Sequence, residues 1–184
     1  MHRRRLLALG FALPLGTSLL QRIAWAHGPT PQKTNESATI PAPPAKVWAA
    51  IGTFGDIAKW HPLVASSTVS GEGGDTKRSL VLKAGQSFKA GTLIDGLVDY
   101  QADAMSMEWR LAHEDVEVFP VSFYAQILKL APAGGGSEVT WEGRYYRAET
   151  LNDPPPGKDD AAAVAAMEEF VKAGLAGLAH QVGA

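Results

Sequence analysis

The chain has no cysteine in its 184 residues. Disulfides, thiol nucleophiles and thiolate metal centres are therefore excluded, and the fold must be held by its core alone. It also lacks a basic stripe. Lys and Arg number 17 against 19 Asp and Glu, a net charge of −2, which argues against nucleic acid or an anionic membrane surface as a partner. The short motifs of common hydrolases are missing: there is no G-x-S-x-G and no H-E-x-x-H. The glycine-rich "GEGGD" at 71–75 opens no helical pattern, so it is a turn and not a phosphate loop. Aromatic residues make up only 8 % of the chain. The large ones, Trp60, Trp109, Trp141 and Tyr145 among them, therefore mark where a core or a binding surface has to be.

What is present begins with an address. Arg3, Arg4 and Arg5 precede an apolar stretch at 6–20 broken by Pro14, and Ala24-Trp25-Ala26 is a small-x-small cleavage site. Residues 1–26 read as a secretory signal peptide, too short for a membrane span, which places the mature chain in the periplasm or outside the cell with no stable membrane anchor. The run "RRRLLAL" matches a twin-arginine signal only loosely, leaving export by Sec or Tat open. Cleavage leaves 158 residues with a net charge of −6, one ordinary domain with a sizeable core. Residues 27–35, "HGPTPQKTN", read as a polar extended arm, and 36–184 as the domain.

The alternation in "ESATI" (36–40) predicts a first strand, which Pro41, Pro43 and Pro44 end. Pro44 suits the first turn of a short helix to about Ile51, with Val47, Trp48 and Ile51 on one face and Gly52 as its stop. A second short helix over roughly 54–59 must end before Pro62. Then come three hairpin-like units. "VASSTVSG" and "RSLVLKA" flank "EGGD"; "KAGTLIDGLV" and "SMEWRLAHE" flank "DYQADA"; "VSFYAQILKL" and "EVTWEGRYYRA" flank "PAGGGS". Short turns of this kind require antiparallel pairing, so the count is seven antiparallel strands. After the stiff connector "NDPPPGKDD", Asp159 or Asp160 caps a final helix to about Val182. Val164, Met167, Val171, Leu175, Leu178 and Val182 form its apolar stripe, and most other positions are Ala or Gly, so the helix can lie close to a sheet or leave space beneath it.

The pattern alone gives an α+β fold with a helix laid on an antiparallel sheet. The residues add more. "ATIPAPPAKVWAAIGTFGDIAKWHPLV", "EVTWEGRYYRA" and the closing helix resemble the START/Bet v 1-like (SRPBCC) superfamily, of the polyketide cyclase/dehydrase type, over residues 36–182. The exported form, with "AHGPTPQK" after the signal and "NDPPPG" before the helix, resembles the branch containing MxaD-like accessory proteins of methanol oxidation. The resemblance implies a helix-grip fold: a curved seven-stranded sheet wrapped around the long C-terminal helix, two short helices after the first strand, and a cavity for apolar or amphipathic small molecules.

Trp60-His61-Pro62 reads mainly as a hinge in which Trp60 closes the core and Pro62 ends the helix; alternatively His61 lines a cavity entrance and binds a ligand's polar end. Val139, Trp141 and Tyr145 share one strand face and Glu142 and Arg144 the other, whereas the neighbouring strand offers Phe123 or Tyr124. The expected pocket is lined by Trp60, Trp109, Trp141, Tyr145, Met167, Val171 and Leu175, with His61 near its mouth. His113 beside Glu114, Asp115 and Glu117 fits no metal or acid–base spacing and reads as a solvated acidic loop. No catalytic residue, metal site or cofactor is assigned. One conditional exception is an N-terminal His27, exposed by cleavage, which with His61 or His113 offers a copper or zinc site. Three functions remain: a periplasmic binder of a small apolar ligand, an accessory protein docking on a periplasmic oxidoreductase of the methanol-dehydrogenase kind, or a cyclase, dehydratase or hydrolase using the same cavity.

Overall fold

The computed structural model describes residues 28–183, so the expected signal peptide, the expected cleavage site and His27 lie outside the described residues. Strand β1 (Gln32–Ile40) leads into α1 (Pro44–Ile51), a 3-10 turn (Phe54–Asp56) and α2 (Ile57–Trp60). Strands β2 (Val64–Ser70), β3 (Lys77–Leu82), β4 (Gly91–Gln101), β5 (Ser106–His113), β6 (Val121–Ala133) and β7 (Gly136–Arg147) follow, and α3 (Asp160–Gly183) closes the chain. The short connections pair each strand from β2 to β7 with the next, and β1 returns to β7, giving one antiparallel sheet of order β1-β7-β6-β5-β4-β3-β2. The helix-grip architecture and the seven strands are thus as the sequence indicates. No helix among the described residues is long and apolar enough to cross a membrane.

Local chemistry sets the boundaries. Pro44 occupies the first turn of α1, where a missing N–H costs nothing, and Gly52 terminates it. Asp159 caps α3 by accepting a hydrogen bond from the Ala162 N–H at 2.9 Å. The connector before α3 is held by Arg147, whose guanidinium donates to the carbonyls of Glu149 and Leu151 and to Asp160 at 2.7–2.9 Å.

Two elements differ from expectation. The arm becomes sheet four residues before "ESATI": β1 starts at Gln32, opposite Tyr145, and Thr34 is buried with its hydroxyl 3.4 Å from the Tyr145 hydroxyl. Its polar composition hid a strand whose inward threonine has a partner. On α3, Val164 is only partly buried, while Ala163, Ala166 and Gly174 join Met167, Val171, Leu175, Leu178 and Val182 in the core. The small residues belong to the buried face because the 60–62 segment presses against it. A Cβ on Gly174 would lie 2.6 Å from the His61 ring and 2.8 Å from Trp141, and one on Gly177 would lie 2.3 Å from the Trp60 carbonyl.

Candidate ligand cavity

Alternate residues of β3 to β7 face α3 and form the core. On β3 and β4 that face carries Arg78-x-Leu80-x-Leu82 and Leu93-x-Asp95, and the hairpin register sets Arg78 directly opposite Asp95. Both are fully inside, at 3 % and 0 % exposure. Arg78 Nε donates to Asp95 Oδ2 at 2.8 Å, and Nη1 donates to the Phe54 carbonyl at 2.8 Å. The guanidinium lies 4.2 Å from the Phe54 ring centroid and 4.7 Å from that of Trp109, so aromatic faces flank the charge. From β6, the Tyr124 hydroxyl donates to Asp95 Oδ1 in a close hydrogen bond. The β6 ambiguity is thereby resolved: Tyr124 is buried and Phe123 lies outside.

Burial pushes the Asp95 carboxyl above its ordinary value, opposed by the charge of Arg78 and the hydrogen bonds from Tyr124 and Arg78. Burial, together with the Asp95 charge, pushes the Tyr124 phenol well above its usual range, so it keeps its proton. Two positions along β6, the Gln126 amide lies over Gly143, where a Cβ would come within 2.7 Å. That position lets Gln126 Oε1 accept from Trp141 Nε1 at 2.8 Å.

These groups surround a cavity between the sheet and α3. Arg78, Asp95, Tyr124 and Gln126 form its polar side; Trp109, Trp141, Phe119 and Phe170 form its aromatic walls, completed by Leu80, Leu93 and Met167. The space open to the centre of a water-sized sphere is about 20 Å³, enough for a single water. Phe88, on the 83–90 loop, packs edge-on against Phe119 and Phe170 at 5.1 and 6.3 Å between centroids. The loop is fastened to α3 by Glu169, which accepts the Gln86 and Ser87 N–H groups at 2.7 and 2.8 Å. Slight burial would raise the Glu169 carboxyl, but these backbone donors hold it below its ordinary value.

Of the eight residues expected around the pocket, the structure brings three, Trp109, Trp141 and Met167, to the cavity. Trp60, Tyr145, Val171 and Leu175 are buried in the core to either side and do not line it. His61 is not at a mouth. It is 1 % exposed, its Nε2–H donates to the Phe170 carbonyl at 3.0 Å, and its Nδ1 accepts the Leu63 N–H at 3.2 Å. With both nitrogens occupied, it has nothing left for a ligand or for a metal shared with His27. Desolvation lowers its pKa to about 3, so it is neutral. Trp60-His61-Pro62 is therefore a hinge packed into α3. His113 ends β5 exposed, and Asp115 caps its own turn by accepting from the Glu117 and Val118 N–H groups. Among the described residues, no three His, Cys, Asp or Glu side chains gather as a metal site.

Arg78, Asp95 and Gln126 were not singled out from the sequence, and Tyr124 was offered only as the alternative to Phe123. A signal existed: in "RSLVL" and "TLID", a charge of each sign falls on the same alternate positions as leucines, in consecutive strands of one hairpin. Inward charges paired across a hairpin are costly and uncommon.

A curved antiparallel sheet gripping a C-terminal helix over an aromatic cavity with a few convergent polar groups defines a small-molecule-binding class of fold. The chain belongs to the polyketide cyclase / dehydrase and lipid transport family, which it matches over residues 31–183. Among solved structures, the XoxI protein of Bacillus cereus is similar at 22 % identity and a TM-score of 0.66, over 82 % of this chain and 94 % of that one. The ZhuI aromatase/cyclase of Streptomyces sp. R1128 is similar at 14 % identity and a TM-score of 0.69, over 83 % and 94 %. Ara h 8.0201 is similar at 17 % identity and a TM-score of 0.62, over 83 % and 98 %. At these identities the likeness is one of fold. No curated protein matches the chain.

Proposed function

We propose that this chain is exported to the periplasm and there binds a small, flat, largely apolar molecule between the sheet and α3. The observation that carries the reading is the Arg78–Asp95–Tyr124 cluster facing a cavity inside an otherwise aromatic shell. Stability alone does not call for such a cluster, because hydrophobic residues of equal volume usually serve a core as well or better. Ligand sites have this composition: apolar walls and a few fixed polar groups. Asp95 is engaged on both oxygens and Tyr124 holds its proton, so neither is placed as a general base, which favours binding over turnover.

The cavity has room for one water, so a larger ligand needs a widened form. The 83–90 loop is the segment placed to move: Phe88 packs behind the aromatic walls Phe119 and Phe170, and the loop's tip is fastened to α3 by two hydrogen bonds to one carboxylate, Glu169. Thermal unfolding with a panel of one- and two-ring ligands tests the reading. A ligand at a hundredfold excess over its dissociation constant adds about 2.7 kcal/mol and raises the melting temperature. A broad panel with no shift, together with native mass spectra of periplasmic protein carrying no bound mass, overturns it. Export is tested separately: the mature protein should begin His-Gly-Pro-Thr, from His27.

A further inference from the structure

The sheet has two end strands, β1 and β2, and they are defended differently. β1 carries Lys33 and Glu36, and α3 lies against it, with Lys172 Nζ 3.5 Å from Glu36 Oε1. Charge and cover of this kind keep an edge strand from pairing with other chains. β2 has neither. It reads "VASSTVS", with no charge and no proline. Ala65, Ser66, Thr68, Val69 and Ser70 are all exposed. The 3-10 turn before α2 packs on its inner face, where a Cβ on Gly55 would lie 2.7 Å from Val69, and not along its edge. Among the described residues, the only main-chain hydrogen bond of β2 outside its ladder with β3 runs from the Val64 N–H to the His61 carbonyl, ahead of the exposed stretch. The outward N–H and C=O groups that follow are free to pair.

The two ends of β2 carry opposite charge. At its start, Lys83 Nζ donates to the Pro62 carbonyl at 2.8 Å, while Lys59 and Asp56 of the preceding turn balance each other. At its end, Glu72 and Asp75 outnumber Lys77. Lys83, Glu72 and Asp75 have no ion-pair partner among the described residues. Antiparallel pairing of β2 with the same strand of a second copy sets each start beside the other's end. Lys83 of one copy then meets the acidic end of the other, and the two-fold axis makes the contact twice. Parallel pairing would set like charges together. In the middle, Ser66, Ser67 and Thr68 meet their own counterparts, and facing Ser and Thr hydroxyls suit a cross-strand pair.

We propose that two copies of the chain join through β2, edge to edge and antiparallel, so that their sheets run on as one. The strand is only seven residues long, so the contact is small and the dimer dissociates on dilution.

Sedimentation velocity of the purified chain across the micromolar to millimolar range tests this. The native chain should pass from monomer to dimer as concentration rises. Thr68 lies exposed on the outer face near the two-fold. Thr68→Lys and Thr68→Glu each bring like charges together and should weaken the dimer roughly tenfold or more. An equimolar mixture of the two variants should associate again, because unlike charges then face each other; a loss of fold gives no such recovery. Ser66→Lys and Ser66→Glu, on the same face, serve as the pair if position 68 does not tolerate charge. A chain that stays monomeric throughout overturns the proposal. So does a dimer that both charged variants leave intact, or a mixture that associates no better than its components.

Discussion

The imidazole of His61 donates to the main-chain carbonyl of Phe170, 3.0 Å away and in the middle of α3, while the two rings lie 4.1 Å apart between centroids. The hinge after α2 is thus bonded to the closing helix through a neutral histidine that has almost no contact with solvent.

Acid should loosen this joint. The folded-state pKa of about 3 lies below the ordinary 6.5, so the folded form resists protonation. Stability from this group is complete above pH ~6.5 and declines as pH falls toward the folded value, at up to about 1.4 kcal/mol per pH unit. Urea unfolding between neutral pH and pH ~4 should show that slope in the native protein and a shallower one in His61→Gln. Equal slopes would place the acid sensitivity elsewhere.

Gly174 makes the close approach possible. Alanine favours a helix interior by about 1 kcal/mol over glycine. Here the added Cβ would sit 2.6 Å from the His61 ring and 2.8 Å from Trp141, both hemmed in by neighbours. Overpacking costs typically about 1–3 kcal/mol, so Gly174→Ala should destabilise despite its propensity. A gain in melting temperature would show that α3 can lift away from the hinge.

Strand number, hairpin pairing and the closing helix were legible because alternation and turn chemistry are local signals. Val139, Trp141 and Tyr145 fell on one face for the same reason. The cavity was less legible. Trp60, Tyr145, Val171 and Leu175 are as buried as expected, but which buried residues border a void depends on how near α3 approaches, and that is set by Gly174 and Gly177 meeting the 60–62 segment. His61 carried a chemical prior that its surroundings cancel, since both partners are backbone groups with no signature in the side chains. Arg78 and Asp95 become a pair only when the β3–β4 register is known.

The 83–90 loop, whose Phe88 packs against the wall residues Phe119 and Phe170, should be the first segment beside the cavity to open. Its carboxylate anchor, Glu169, accepts the Gln86 and Ser87 N–H groups, both on the loop, so Glu169→Ala frees the loop without disturbing the sheet. Amide exchange at Gln86 and Ser87 should quicken markedly, while global stability changes by about 1–2 kcal/mol or less. Ligand on- and off-rates should both rise with little change in affinity. Exchange as slow as in the native protein would mean that Phe88, not Glu169, holds the loop.

The Arg78–Asp95 pair offers a test in which pH separates charge from packing. Arg78→Met removes the cation and leaves a buried carboxylate with Tyr124 as its remaining side-chain partner. Breaking a buried pair from one side typically costs about 3–5 kcal/mol. Burial, already the largest influence on Asp95, then acts without opposition from Arg78 and raises its folded-state pKa further. For a group so raised, folding is favoured below the unfolded value near 3.9, and that stability is lost as pH rises through the folded value. Arg78→Met should therefore be least impaired in mild acid and weaken as pH rises toward neutrality, opposite in sign to the histidine effect. In Arg78→Met/Asp95→Leu no charge is left to bury, so this pH dependence should vanish and the loss at neutral pH should be smaller than in Arg78→Met alone. Chemical denaturation of the three proteins from pH ~4 to ~8 measures both quantities. A double variant less stable at neutral pH than Arg78→Met would mean that packing, and not the unpaired charge, dominates the cost, and the claim that the ionic cluster is retained for ligand recognition would lose its energetic basis.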